Sequence, residues 1–137
     1  MRLQVRGYNK AEQAWVYGSL IEDCFEDRYY ILGDSHNMAG FCKVETETIS
    51  EYSGFCDEFG NPLYMGDKAT LYTKLTGWIK TEEGFVNYSK KRGCWEFVVP
   101  EHGYNKNYLL YKVVKNLNSN HGTIYDNMIR KWEKENE

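Results

Sequence analysis

The sequence predicts a mainly β domain, bordering on α+β: a small, partly open antiparallel β-barrel-like fold with a short C-terminal helix. Three observations predict it. Short apolar segments alternate with turn signals about every 8–12 residues, the spacing of sandwiches and barrels. Twelve tyrosines, six phenylalanines and four tryptophans supply side chains that suit pleated, half-buried surfaces. Only the last segment changes period: Tyr125, Met128, Ile129 and Trp132 stand at i, i+3, i+4 and i+7, the stripe of an amphipathic helix.

The elements follow in order. Ala14–Ile21 is the first strand, with Trp15, Tyr17 and Ser19 on one face and Val16 and Leu20 on the other. Glu22–Asp27 is an acidic turn, Arg28–Leu32 the second strand, and Gly33-Asp34 its end. His36–Gly40 is loop and Phe41–Val44 the third strand. Thr48–Tyr52 leads into a turn-rich stretch, Ser53–Pro62, marked by Gly54, Gly60 and the Asn61-Pro62 pair. After Leu63–Met65 and Gly66-Asp67, Lys68–Lys74 alternates cleanly: Ala69 and Leu71 face one way, Lys68, Thr70, Tyr72 and Lys74 the other. Gly77–Thr81 and Phe85–Tyr88 flank Glu82-Glu83-Gly84, read as a short hairpin loop. Cys94–Val99 is a strand, Pro100–Asn107 a polar loop, and Tyr108–Val114 the most buried strand, because apolar residues sit on both faces. The closing helix takes Asp126 or Asn127 as its cap. It is too short to persist alone in water, so its stripe is expected to dock.

The 137 residues fit one domain, 1–137, divided into N-terminal strands (1–50), a barrel core (51–125) and a helix with tail (126–137). A chain of this length buries a core without staples. The N-terminus lacks the apolar stretch of a signal peptide, and no apolar run approaches the roughly 20 residues that span a bilayer. Cys24, Cys42, Cys56 and Cys94 form no Cys-x-x-Cys pair. These features give the expectation of a cytoplasmic protein with free thiols and no membrane partner. Net charge is −3, divided unevenly. Residues 1–67 carry 5 basic and 12 acidic side chains, residues 68–115 carry 9 and 4, and the remainder 3 and 4. Attraction between the two halves, within the fold or across an oligomer, accounts for such a division, as does a polar partner for the basic half.

Glu51–Tyr72 resembles the central signature of the YopX family of phage and prophage proteins. Tyr52, Ser53, Gly54 and Phe55 match the family's Tyr-Thr-Gly-Leu element. Asp57, Gly60 and Asn61 match its loop, and Tyr64, Met65, Gly66 and Asp67 match its Tyr-Glu-Gly-Asp element. Trp15–Leu20 is similar to an early Trp/Tyr-Gly strand. Gly122–Asn127 is similar to the closing Gly-Asn-Ile-Tyr-Glu-Asn, with Met128 where Pro usually follows. The resemblance implies a mostly β fold, phage or prophage origin and a bacterial cytoplasm, and it carries no catalytic residues. The signature also has a structural reading in Tyr52, Gly54, Gly60, Tyr64, Gly66 and Asp67. The glycines hold backbone that a side chain would strain, Asp67 bonds turn amides, and Tyr52 pairs with Tyr64 across strands.

No spacing of His36, His102, His121 or the cysteines matches a metal site, so no metal and no cofactor are expected. There is no Gly-x-Ser-x-Gly elbow, phosphate loop or dinucleotide fingerprint. The acidic pairs Glu22-Asp23, Glu26-Asp27, Asp57-Glu58 and Glu82-Glu83 all read as solvated turn residues. The expected function is a non-enzymatic phage-type interaction module with a host or phage protein as partner, since Tyr and Trp enrich interfaces. The alternative is single-stranded nucleic-acid binding through Lys68, Tyr72, Lys74, Trp78, Lys91 and Arg92, as small barrels do. An acidic pI of about 5.7 weighs against it. A further alternative is an enzyme in which His102 or His121 meets a carboxylate or thiol in a pocket. Edge strands of an open barrel are protected or paired, so a homo-oligomer is also expected.

Overall fold

A computed structural model describes residues 4–23, 25, 26, 28–33 and 40–135. In chain order the elements are β1 (Gln4–Asn9), β2 (Ala14–Asp23), β3 (Arg28–Gly33), β4 (Gly40–Lys43), β5 (Ser50–Cys56), β6 (Pro62–Tyr64), β7 (Lys68–Leu75), β8 (Trp78–Ser89), β9 (Cys94–Pro100), β10 (Asn105–Leu109), α1 (Leu110–Val113), β11 (Leu117–Asn118) and α2 (Asp126–Glu135). The fold is mainly β with a C-terminal helix, built as two antiparallel sheets rather than a closed barrel. The chain divides into two compact units. One comprises the residues up to Tyr52 together with those from Asn127 onward, and the other Ser53–Asp126.

In the first unit the strands lie in the order β4-β3-β2-β1, followed by the start of β5. Val5, Val16, Ile31 and Val44 form its core, with Leu20, Tyr29 and Ile49 packed against them. The central strand β1 was not foreseen. Its buried run Val5-Arg6-Gly7-Tyr8 has no apolar alternation, and Arg6 is accommodated by lying 4.7 Å over the Trp15 ring. The stripe of α2 docks here, as its length requires. Trp132 stacks on Tyr8 at 6.1 Å between ring centroids, and the Tyr8 hydroxyl donates to Glu133 at 2.9 Å. Burial, and then the Glu133 carboxylate, push the Tyr8 phenol up to about 12.

The second unit holds the sheet β10-β9-β8-β7-β11 around Leu63, Ala69, Leu71, Val86, Phe97, Val99, Leu110 and Leu117. Three readings are corrected here. Glu82-Glu83-Gly84 is not a loop. β8 runs unbroken through it, and the chain reverses at Thr76-Gly77, between the facing residues Leu75 and Trp78, where Gly77 takes φ 82°. Tyr108–Val114 is not one strand. β10 begins at Asn105, inside the expected loop, and ends at Leu109, after which the chain turns helical. Leu110, Val113, Val114 and Leu117 stand at i, i+3, i+4 and i+7 and face the core, while Tyr111 and Lys112 are exposed. The turn-rich stretch also starts later, since β5 continues to Cys56.

That stretch closes on a buried carboxylate. Asp57 accepts the amides of Phe59 and Asn61 at 2.9 Å, the Asn61 side chain at 3.2 Å, and the Ser119 amide and hydroxyl at 3.1 and 2.7 Å. Burial alone would raise its pKa. The bonds from Ser119 and Asn61 more than offset this and hold it down to about 2. The folded-state value lies below the unfolded one, so ionised Asp57 stabilises the fold above about pH 4. At about 1.4 kcal/mol per pKa unit, that is on the order of 2 kcal/mol, lost as pH falls toward 2. Asp57→Ala, which orphans several donors, is expected to cost roughly 2–4 kcal/mol at pH 7. Urea unfolding at a series of pH values checks this: the gap between wild type and variant should narrow steadily between about pH 4 and 2.

Candidate functional site

Register decides which side chains the second sheet presents. Directly paired residues share a face, so Lys68, Thr70, Tyr72 and Lys74 of β7 lie with Phe85, Glu83, Thr81 and Ile79 of β8. Leu71, Thr73 and Leu75 lie with Glu82, Lys80 and Trp78 on the opposite face. Of the residues singled out for nucleic acid, Lys68, Tyr72 and Lys74 therefore share a surface, and Trp78 lies on the other. Lys91 and Arg92 sit in the β8–β9 turn, at the far end of a strand roughly 35 Å long. Arg92 is engaged there by Glu96, 3.2 Å away. The unit 53–126 carries 9 basic and 8 acidic residues, so the basic stretch is largely balanced within its own unit.

Beyond the sheet, β7 and β8 continue as a two-stranded ribbon. β11 pairs only with Thr70 and Leu71 of β7, and β9 pairs with β8 from Phe85 onward. Residues 72–75 and 78–81 pair with one another and with no other strand among the described residues. The ribbon's tip is apolar and in water: Leu75, Trp78 and Ile79 are 42%, 58% and 57% exposed. Lys74 is exposed beside them, and Lys80 lies one residue beyond Ile79.

At the ribbon's base the two adjacent glutamates point to opposite faces. Glu82 is buried and accepts the Tyr108 hydroxyl at 2.7 Å, with the Lys106 and Lys80 ammonium groups at 3.3 and 3.7 Å. Burial acts to raise the Glu82 pKa, but Tyr108, Lys106 and Lys80 together hold it below the usual carboxylate range. On the other face Thr70, 3% exposed, donates its hydroxyl proton to Glu83 at 2.6 Å and stands 2.8 Å from Nε2 of His121. Lys68, Glu83, Phe85, Pro100, His121 and Ile124 line a groove of about 390 Å³ beside this chain of bonds. His102 is exposed in the loop before β10, and His36 lies outside the described residues. Sequence spacing could not reveal the meeting of Thr70 with His121, which are 51 residues apart. Among the described residues, no three His, Cys, Asp or Glu side chains gather as a metal site. Nor is any helix long and apolar enough to cross a membrane. Cys42 and Cys94 are half-buried and Cys56 is exposed.

The signature residues form a backbone clasp. Asp67 accepts the Tyr64 amide at 2.8 Å, and the Gly66 amide donates to the Val86 carbonyl at 2.7 Å. Asp67 and Thr123 form an isolated bridge, flanked by bonds from the Ile124 amide to Gly66 O and from the Lys68 amide to Gly122 O. Two segments far apart in sequence, 64–67 and 122–124, are thus laced together. Thr123 and Asp126 then start α2 as a capping box. The Thr123 amide donates to Asp126 Oδ2 at 3.0 Å, and the Tyr125 amide to Thr123 Oγ1 at 3.1 Å. Asp126 thus reaches back to the cap, and Thr123 is the capping residue. Gly54 and Gly60 also have positive φ, Tyr64 is buried and Tyr52 half-buried.

The chain matches no protein-family model. No curated protein matches it either.

Gly66 has φ 89°, and a Cβ there would lie 3.0 Å from the Tyr125 ring and 3.1 Å from Ile124. Gly66→Ala is therefore expected to cost roughly 2–3 kcal/mol, strain and crowding together. Gly60→Ala, with open space around its Cβ, should cost about 1 kcal/mol. Chemical denaturation of the two variants measures the difference.

Proposed function

We propose that this protein is a non-enzymatic interaction module that holds a protein partner through the tip of the β7–β8 ribbon. The observation that carries this reading is the ribbon itself. A two-stranded hairpin is marginal in water, and this one ends in Leu75, Trp78 and Ile79, large apolar side chains left about half exposed. Tryptophan is the residue type that most often dominates binding energy at an interface. The unpaired backbone edges of residues 72–75 and 78–81 supply main-chain donors and acceptors to the same partner.

The likeness of 51–72 and 122–127 to the YopX signature supports a phage or prophage origin and a bacterial cytoplasm as the place of action. The clasp between 64–67 and 122–124 gives those motif positions a shared structural task, which suits a scaffold family without a catalytic signature. The nucleic-acid reading has less support, because its six residues are divided over two faces and two ends of the sheet. Self-association through the same ribbon is the homotypic form of the proposal.

Trp78→Ser with Ile79→Ser tests it. The positions are exposed, so melting should shift little. Capture from bacterial and phage-infected lysates should yield a specific partner, or light scattering a dimer, with wild type only. The double variant should weaken the interaction by about 30-fold or more. A partner retained at full strength by the variant overturns the assignment to the tip. Saturable, salt-sensitive binding of a single-stranded oligonucleotide, with no protein partner, replaces it with the nucleic-acid reading.

A further inference from the structure

The chain Glu83–Thr70–His121 fixes more than the position of a side chain. A carboxylate only accepts hydrogen bonds, and a threonine hydroxyl has one proton to give. At 2.6 Å from Glu83 Oε1, Thr70 gives it there. The 2.8 Å contact between Thr70 Oγ1 and His121 Nε2 then needs its proton from the imidazole. His121 is held as the Nε2–H form, which leaves Nδ1 as its second polar atom.

The His121 side chain lines the groove whose apolar walls are Phe85, Pro100 and Ile124. Two further charged groups line it. Lys68, on β7, is exposed and has no ion-pair partner among the described residues. Glu83, on β8, has one oxygen committed to Thr70. These and Thr70 are the polar groups that face His121 from the strands packed against it. Lys68 and a protonated His121 offer positive charge on two sides. Glu83, a second carboxylate at the same groove, disfavours a doubly charged anion there. A volume of about 390 Å³ lies at the small end of ligand pockets.

We infer that this groove is a binding site for a small organic monoanion, a carboxylate on an aromatic or branched aliphatic body. The carboxylate sits between the Lys68 ammonium and Nδ1–H of the His121 imidazolium, and the apolar body lies on Phe85, Pro100 and Ile124. Thr70 and Glu83 are positioning residues: they set the tautomer and orient the ring, and they make no contact with the ligand. The site is independent of the ribbon tip, so either assignment can fail without the other.

Benzoate is the probe, with inorganic sulfate as the dianion control, on the full chain observed by NMR. In the free protein at high pH, the His121 ring nitrogens should report the Nε2–H tautomer. At about pH 6, benzoate should shift His121, Lys68 and Phe85 signals saturably at millimolar concentration, and sulfate should not. Binding should weaken as pH rises, because the carboxylate needs the Nδ1 proton as its donor. It should weaken about fivefold in Lys68→Gln, an exposed substitution that leaves the fold intact. A Nδ1–H tautomer, the absence of a saturable shift, sulfate binding as well as benzoate, or unchanged binding in Lys68→Gln each overturns the inference.

Discussion

Two adjacent carboxylates in the middle of a strand organise the second unit. Successive residues of a strand point to opposite faces, so Glu82 and Glu83 must put one negative charge on each side of the sheet. A buried ion without partners costs several kcal/mol; Glu82 is buried and Glu83 exposed, and both have partners. Glu82 gathers Tyr108 from β10, Lys106 from the same strand and Lys80 from its own. Glu83 takes the proton of Thr70 on β7, and Thr70 in turn holds His121 in the loop after β11. The pair therefore ties three strands and a loop into one polar framework around an apolar core. It also keeps β8 intact through a point where charge and glycine would otherwise favour a turn. The reversal moves to Thr76-Gly77, and β7 and β8 run past their neighbours as the ribbon.

The same framework shows which parts of the fold local sequence could reveal. Ala14–Ile21, Arg28–Leu32, Lys68–Lys74, Cys94–Val99 and the stripe of α2 were legible because short apolar segments between turn signals, or a 3.6-residue stripe, are local properties. The turn chemistry of Gly66-Asp67 was legible for the same reason. Glu82-Glu83-Gly84 misled because acidic residues and glycine signal turns, while the hydroxyl that satisfies Glu82 is 26 residues away. Tyr108–Val114 misled because a strand and a helix meet inside one apolar run. The helical stripe emerges only when the run is extended to Leu117. β1 carried no signal, since a buried arginine under a tryptophan has no place in an alternating pattern.

The candidate sites divide along the same line. Residue types singled out the aromatic and basic middle of the chain. Periodicity alone could not show that the turn at Thr76-Gly77 sets Trp78 on the face opposite Lys68, Tyr72 and Lys74. The histidine that matters was one of three in the sequence, and only the third dimension sets His121, rather than His102, against a hydroxyl and a carboxylate. Both functional proposals depend on β7 and β8, the ribbon at one end of the pair and the groove at the other.

The register of β7 against β8 is thus the claim on which the account stands. Cross-strand nuclear Overhauser effects in the native protein measure it directly. Contacts between the backbones of Leu71 and Glu82 and of Thr73 and Lys80 place the turn at Thr76-Gly77 and the carboxylates mid-strand. Backbone contacts between Thr81 and Phe85, with Glu82–Gly84 looped between them, would contradict it.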